Sequence, residues 1–181
     1  MKKLIVLLFL IINQQAKAQN IMTQYDTCQY LTQYEGEWMY TNNQDTIRIY
    51  LRTKRQYSNN HNHFSDKLYG WHEYKQGNTI IESNYANRFM YLPFYTDSLI
   101  NNLPSIRLLN YNCTLVNSNK LQGYITDLTQ ANEDHAVKTH MWGGGYYLVY
   151  LLWKQSFVEF HGAWTGAYGM TLPREFILIK Q

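Results

Sequence analysis

The run from Asp45 to Tyr57 narrows the fold more than any other part of this chain: Ile47, Ile49 and Leu51 alternate with Arg48, Tyr50 and Arg52. Side chains of a strand point to opposite faces in turn, so this pattern describes a half-buried antiparallel strand with one face on a core. The reading recurs along the sequence. Segments 35–41, 67–75, 78–85, 106–116, 121–129, 135–142, 145–153, 157–164 and 175–180 also read as strands, divided by turns such as Asn42-Asn43-Gln44, Gln76-Gly77 and Asn117-Ser118-Asn119. The sequence has 17 tyrosines and 5 tryptophans, residues that suit pleated surfaces, and only 3 prolines to interrupt them. The expectation is an all-β fold, an antiparallel barrel or a related β-sandwich of about ten strands, with one or two short helices.

Between the strands the signals are weaker. Ile21, Tyr25, Cys28 and Leu31 fall at helical spacing, so 21–34 reads as a short amphipathic helix or an ordered coil. Thr96 or Asp97 could cap one helical turn through Leu99, Ile100 and Leu103. The polar run Ser58 to Asp66 reads as a loop, and Tyr146 to Trp153, apolar throughout, as a strand covered on both faces.

Residues 1–18 have the three parts of a secretory signal: Lys2 and Lys3, an apolar run from Leu4 to Ile12, and Ala16-Lys17-Ala18 as a small-x-small cleavage site. The expectation is cleavage after Ala18, one domain over 19–181, and a periplasmic or secreted location. The apolar run is too short for a membrane helix, which needs about 20 residues. No cysteine follows it closely enough for a lipid anchor, so no stable membrane attachment is expected. Cleavage would remove Lys2, Lys3 and Lys17 from the 16 basic residues, leaving 13 against 13 acidic ones. A nucleic-acid partner drawn by net charge is therefore not expected, and the local group Arg48, Arg52, Lys54 and Arg55 reads as the solvated face of a strand.

Gly36-Glu37-Trp38, preceded by a short helical segment, resembles the opening of lipocalin-like (calycin-type) proteins. That resemblance implies an up-and-down barrel around a small hydrophobic ligand, with Trp38 across the closed base and an arginine near the last strand over its ring. Arg174 is the arginine at that place. The signal ending at Ala18-Gln19, the same opening and the closing stretch 172–181 together resemble an exported bacterial family of unknown function.

Candidate sites are few. Cys28 and Cys113 would suit an oxidising compartment as a disulfide, closing a loop of about 85 residues and stabilising by around 4 kcal/mol. Alternatively, Cys113 is a buried apolar residue on the face of Leu109, Tyr111 and Leu115. His61 and His63, with His72 as a third, invite a metal, but nothing in their spacing makes them converge, and no metal or other cofactor is expected. No Gly-x-Ser-x-Gly or Cys-His motif is present. Glu35 and Glu37 read as solvated acids, and Gly143-Gly144-Gly145 as a bulge or turn in preference to an anion nest. Gly162, Gly166 and Gly169 would relieve crowding around Trp164 and Tyr168. The expectation is a non-catalytic binding protein for a small, largely apolar ligand, with Trp71, Tyr146 and Trp153 as candidate cavity walls. The alternative is an envelope or surface module that contacts a protein or glycan through its tyrosines and asparagines.

Overall fold

Asn42 makes the first reversal of the chain. Its side-chain oxygen accepts the backbone N–H groups of Gln44 (2.7 Å) and Asp45 (2.6 Å), and its amide donates to Asp45 Oδ2 at 3.0 Å. An Asn bonding its own turn in this way fixes where one strand ends, at Thr41, and the next begins, at Asp45. A computed structural model describes residues 22–24, 29–58, 63–92, 104–109, 120–129, 146–154, 156–162 and 171–181. Their elements are β1 (Met22–Gln24), α1 (Tyr30–Gln33), β2 (Gly36–Thr41), β3 (Asp45–Ser58), β4 (His63–Gln76), β5 (Thr79–Ser83), a 3₁₀ turn (Tyr85–Phe89), β6 (Ile106–Leu109), β7 (Lys120–Thr126), β8 (Tyr146–Lys154), β9 (Phe157–Gly162) and β10 (Glu175–Lys180).

Eight of these strands close into a ring in the order β4-β3-β2-β10-β9-β8-β7-β6, and β6 pairs back onto β4 through Gly70↔Ile106. Every pairing in the ring is antiparallel. The chain is thus an up-and-down barrel, with one α-helical and one 3₁₀ turn among the described residues, consistent with a lipocalin-like barrel. Closure decides against the sandwich. Two strands lie outside the ring on the same edge of β4: β5, antiparallel beyond a bulge at Tyr74/Lys75, and β1, parallel at His63–Ser65. β3 and β4 also outrun the ring. β2 leaves β3 at Leu51, and from Arg52 to Ser58 β3 has only β4 beside it, forming a two-stranded ribbon with β1 along its far end.

Inside the ring the alternating residues meet. Ile47, Ile49, Leu51, Leu68, Ile106, Leu108, Leu121, Ile125, Val149, Leu151, Val158, Phe160, Phe176 and Leu178 are all buried in one cluster. A side chain of this kind stabilises by about 1.5–3 kcal/mol when fully buried, and an eight-stranded ring is just wide enough for side chains to fill. Two glycines sit where the fit is tightest. A Cβ on Gly70 would lie 2.7 Å from Leu51 Cδ2, and one on Gly123 would strike the backbone oxygen of Arg107 at 1.9 Å. The described interior is a packed core.

Several boundaries differ from expectation. The segment 58–66 is not all loop, because Tyr57–Phe64 ring contact and the Arg55–Asp66 pair carry the β3–β4 ladder down to Ser58↔His63. Of 21–34, which reads as a short helix or an ordered coil, the described residues form a three-residue strand, Met22–Gln24, and one helical turn, Tyr30–Gln33. β8 is buried on its inner face at Val149 and Leu151, while Tyr150 and Leu152 are only partly covered outside. The strand expected at 135–142, most of 106–116 and the turn at Thr96 or Asp97 lie outside the described residues, as do the signal segment and Ala18.

Candidate functional site

The base of the barrel is built around Trp38. α1 lays Leu31 and Tyr34 across the opening, both fully buried, and Trp38 Nε1–H donates to the Tyr34 carbonyl at 2.7 Å. Trp153 stands edge-on to both rings, at 5.7 Å from Trp38 and 5.5 Å from Tyr34. Burial pushes the Tyr34 phenol well above its ordinary range. The cation over Trp38 is Lys180, whose Nζ lies 5.4 Å from the ring centre and 3.4 Å from the Gln33 carbonyl. This corrects the assignment to Arg174. Register places Lys180 directly opposite Trp38, whereas Arg174 is exposed before β10, six residues or about 20 Å of extended chain away. Gly36 has φ +110°, and a Cβ there would sit 3.3 Å from Lys180 Cε, so the glycine makes room for the lysine stem. Glu35 and Glu37 part company: Glu35 Oε1 accepts both the N–H (2.6 Å) and the hydroxyl of Thr53, while Glu37 lies beside Tyr85.

A buried polar network begins at His72, which register places two strands along from Trp38 through Ile49. His72, fully buried, holds Ser105 Oγ at 2.6 Å from Nδ1 and Glu82 Oε1 at 3.2 Å from Nε2, the latter at ion-pair distance but off the line of a hydrogen bond. Glu82 accepts from Leu128 N–H (2.8 Å) and the Thr171 hydroxyl (3.0 Å). Asp127, with no exposure, accepts from Thr129 N–H (2.9 Å), Thr129 Oγ1 (2.7 Å) and Thr171 N–H (3.0 Å). Buried carboxylates persist only where donors meet them. Ser105, His72 and Glu82 lie in a row, as in an acyl-transfer relay. The buried Ser105 hydroxyl also faces two acceptors for its proton, Asn84 Oδ1 at 3.2 Å and the Gly70 carbonyl at 3.5 Å. The row ties β4, β5, the start of β6, the end of β7 and the entry to β10 together. His72 therefore belongs to this clamp, while His61 and the side chain of His63 lie outside the described residues.

The third arrangement lies outside the ring. Residues 84–92 cross the outer face of β3 and β4, where Tyr69, Trp71 and Leu92 form a second buried cluster with Tyr50 and Met90 against it. Trp71 is therefore no wall of the interior, because it sits one residue from the inward Gly70 and points the other way. Arg52 lies 5.2 Å above its ring and donates to the Met90 carbonyl at 2.7 Å, which pins the crossing segment. Phe89 and Tyr91 then stand out, 67% and 78% exposed. Arg88 lies 4.5 Å from the Phe89 ring and Lys54 lies 5.6 Å from that of Tyr91. Arg48, Arg52 and Lys54 share this outward face, while Arg55 turns to the other and pairs with Asp66 at 2.8 Å. Next to Lys54, a groove of about 280 Å³ opens between α1 and the ribbon, with Thr32, Thr53 and Arg55 in its walls.

Of the expected cavity walls, Trp153 faces the base, Trp71 faces outward, and the side chain of Tyr146 lies outside the described residues. So do Cys28, Cys113, His61, Gly143-Gly144-Gly145, Trp164 and Tyr168. Sequence reasoning missed Lys180, whose role depends on register, and Glu82 and Asp127, of which the Asp127-x-Thr129 turn was the one local signal. No curated protein and no solved structure matches the chain. A model of a family of unknown function, DUF6705, matches residues 1–181, and the chain belongs to that family.

Proposed function

We propose that the protein is an exported, non-catalytic recognition module that uses its barrel as a solid support and binds a glycan on the outer face of β3 and β4. One observation carries this reading: Phe89 and Tyr91 are held largely exposed beside Arg88 and Lys54, on a segment pinned by Arg52. Exposed rings offer flat apolar faces to the C–H side of a pyranose, and the neighbouring cations supply hydrogen bonds to its hydroxyls. A glycan array followed by calorimetry tests it. Wild type is expected to bind, and Phe89→Ala and Tyr91→Ala to lose binding while melting as wild type does. No glycan retained above background would refute the proposal.

A second reading, a carrier of one small apolar molecule, has the ring itself in its favour, since eight-stranded antiparallel barrels can enclose such a ligand. The packed centre moves the ligand in that reading towards the loop end of the barrel. Native mass spectrometry of protein purified without detergent distinguishes the two, because a carrier arrives with a stoichiometric adduct.

A further inference from the structure

The glycan reading leaves open what kind of sugar the face takes, and the charges on it decide. Arg48, Arg52, Lys54 and Arg88 lie on or over the outer surface of β3, β4 and the crossing segment. Two acids share the β5-ward end of this face: Glu73, opposite Arg48 in register and 3.0 Å from Lys75, and Glu37, beside the Tyr85 phenol with Arg48 and Arg88 near it, which leaves Lys54 and the outer side of Arg88 to meet an anion. The cations are also positioned. Arg88 is packed between the rings of Tyr85 (4.4 Å) and Phe89 (4.5 Å), Arg52 is fixed on Trp71 and the Met90 carbonyl, and Lys54 lies over Tyr91. Cations held in place against rings lose less freedom on meeting an anion than cations on loose side chains.

We infer that this face takes an acidic glycan, one bearing carboxylates or sulfates along its length. The inference rests on the glycan reading above. Tyr91 and Phe89 stack on sugar rings, Lys54 and Arg88 meet the acid groups, and Arg52 holds the segment in register. The balance of 13 basic and 13 acidic residues after the expected cleavage disfavours a nucleic acid, which would use the same rings and cations but draws on a far stronger positive field.

The test is calorimetry of the full chain against oligogalacturonate, heparin oligosaccharide, neutral maltooligosaccharide and oligo-dT, at low and moderate salt. The expected result is binding of one of the acidic sugars that weakens with salt. Lys54→Gln should lower affinity about tenfold, equivalent to roughly 1.4 kcal/mol, and reduce the salt dependence. Lys154→Gln, on the far side of the ring, should change neither. Neutral sugar bound as tightly as acidic would overturn this inference and leave the glycan reading standing. No sugar bound at all would sink both. Preference for oligo-dT, or equal loss in Lys54→Gln and Lys154→Gln, would show an effect of charge alone and refute the inference. Melting curves of both variants establish that each is folded.

Discussion

Replacing Asp127 by alanine should cost the protein a substantial part of its stability, and the size of the loss follows from the donors left behind. Asp127 accepts from two backbone N–H groups and one hydroxyl, at 2.7–3.0 Å, and is itself fully buried. Hydrogen bonds to a charged group contribute about 1.5–3 kcal/mol each, but Thr129 and Thr171 are exposed residues, so water recovers part of what their N–H groups lose. The Thr129 hydroxyl can also turn away. A net loss of about 3 kcal/mol is expected, against a total of roughly 5–15 kcal/mol for a domain. In a chain of this size that lowers the melting temperature by about 6–12 °C. Urea unfolding followed by circular dichroism measures it, alongside Thr171→Val, which loses one hydroxyl contact to Glu82 and should cost about 1 kcal/mol. Because Thr171 touches both carboxylates, the double variant should lose less than the two single losses combined. A loss under about 1 kcal/mol for Asp127→Ala at unchanged denaturant dependence would refute the view that this clamp seals the loop end.

Three further outcomes are expected. Lys180→Ala should destabilise by about 0.5–2 kcal/mol through the lost cation–π contact with Trp38, while Arg174→Ala should stay within about 0.5 kcal/mol of wild type; equal effects in urea melts would contradict the register that pairs Lys180 with Trp38. Gly123→Ala should cost about 1–3 kcal/mol, since its Cβ meets backbone and not a side chain that can swing aside, and a neutral result would mean that β6 and β7 are farther apart than described. Alkali should weaken the fold from about pH 10 upwards. Tyr69 is pushed up to about 12 by burial, and Tyr74 to about 12 by burial and its bond to Asp45, while the unfolded phenols ionise near 10. Stability from these groups is complete below pH 10 and lost as the pH rises to 12, so the part of the tyrosinate absorbance that belongs to these two buried phenols should appear together with unfolding.

Much of the ring was legible because its signals are local. The alternation at Ile47-Arg48-Ile49-Tyr50-Leu51 needs no partner to be read, nor do Asn42 with its turn or Gly77 with φ +57° in the β4–β5 hairpin. What escaped was set by register and closure. Arg174 is the nearest arginine to the last strand in sequence, yet the pairing of β10 with β2 brings the end of that strand to Trp38 and leaves its start behind. Trp71 reads as a cavity wall because a large aromatic in a strand has two faces to choose from. The crossing segment that covers the outer one comes from 84–92, beyond the reach of any local pattern. Beyond its local bonds to Thr129, Asp127 meets Thr171 44 positions away, Glu82 meets Leu128 46 positions away, and His72, which reads as a third histidine of a metal group, instead meets Ser105 33 positions away, so the network has no local pattern.

The ribbon formed by β3 and β4 below the ring divides the molecule by timescale. Beyond Thr53, whose N–H is held by Glu35, the amides to Ser58 have one neighbouring strand and few buried side chains, whereas those of Ile47 to Leu51 are locked between β2 and β4. Deuterium should therefore enter the ribbon by local opening long before it reaches the ring. Lys54 lies where the ribbon leaves the ring, under Tyr91 of the crossing segment, so the ring contact that holds it in place is made at the border between the two.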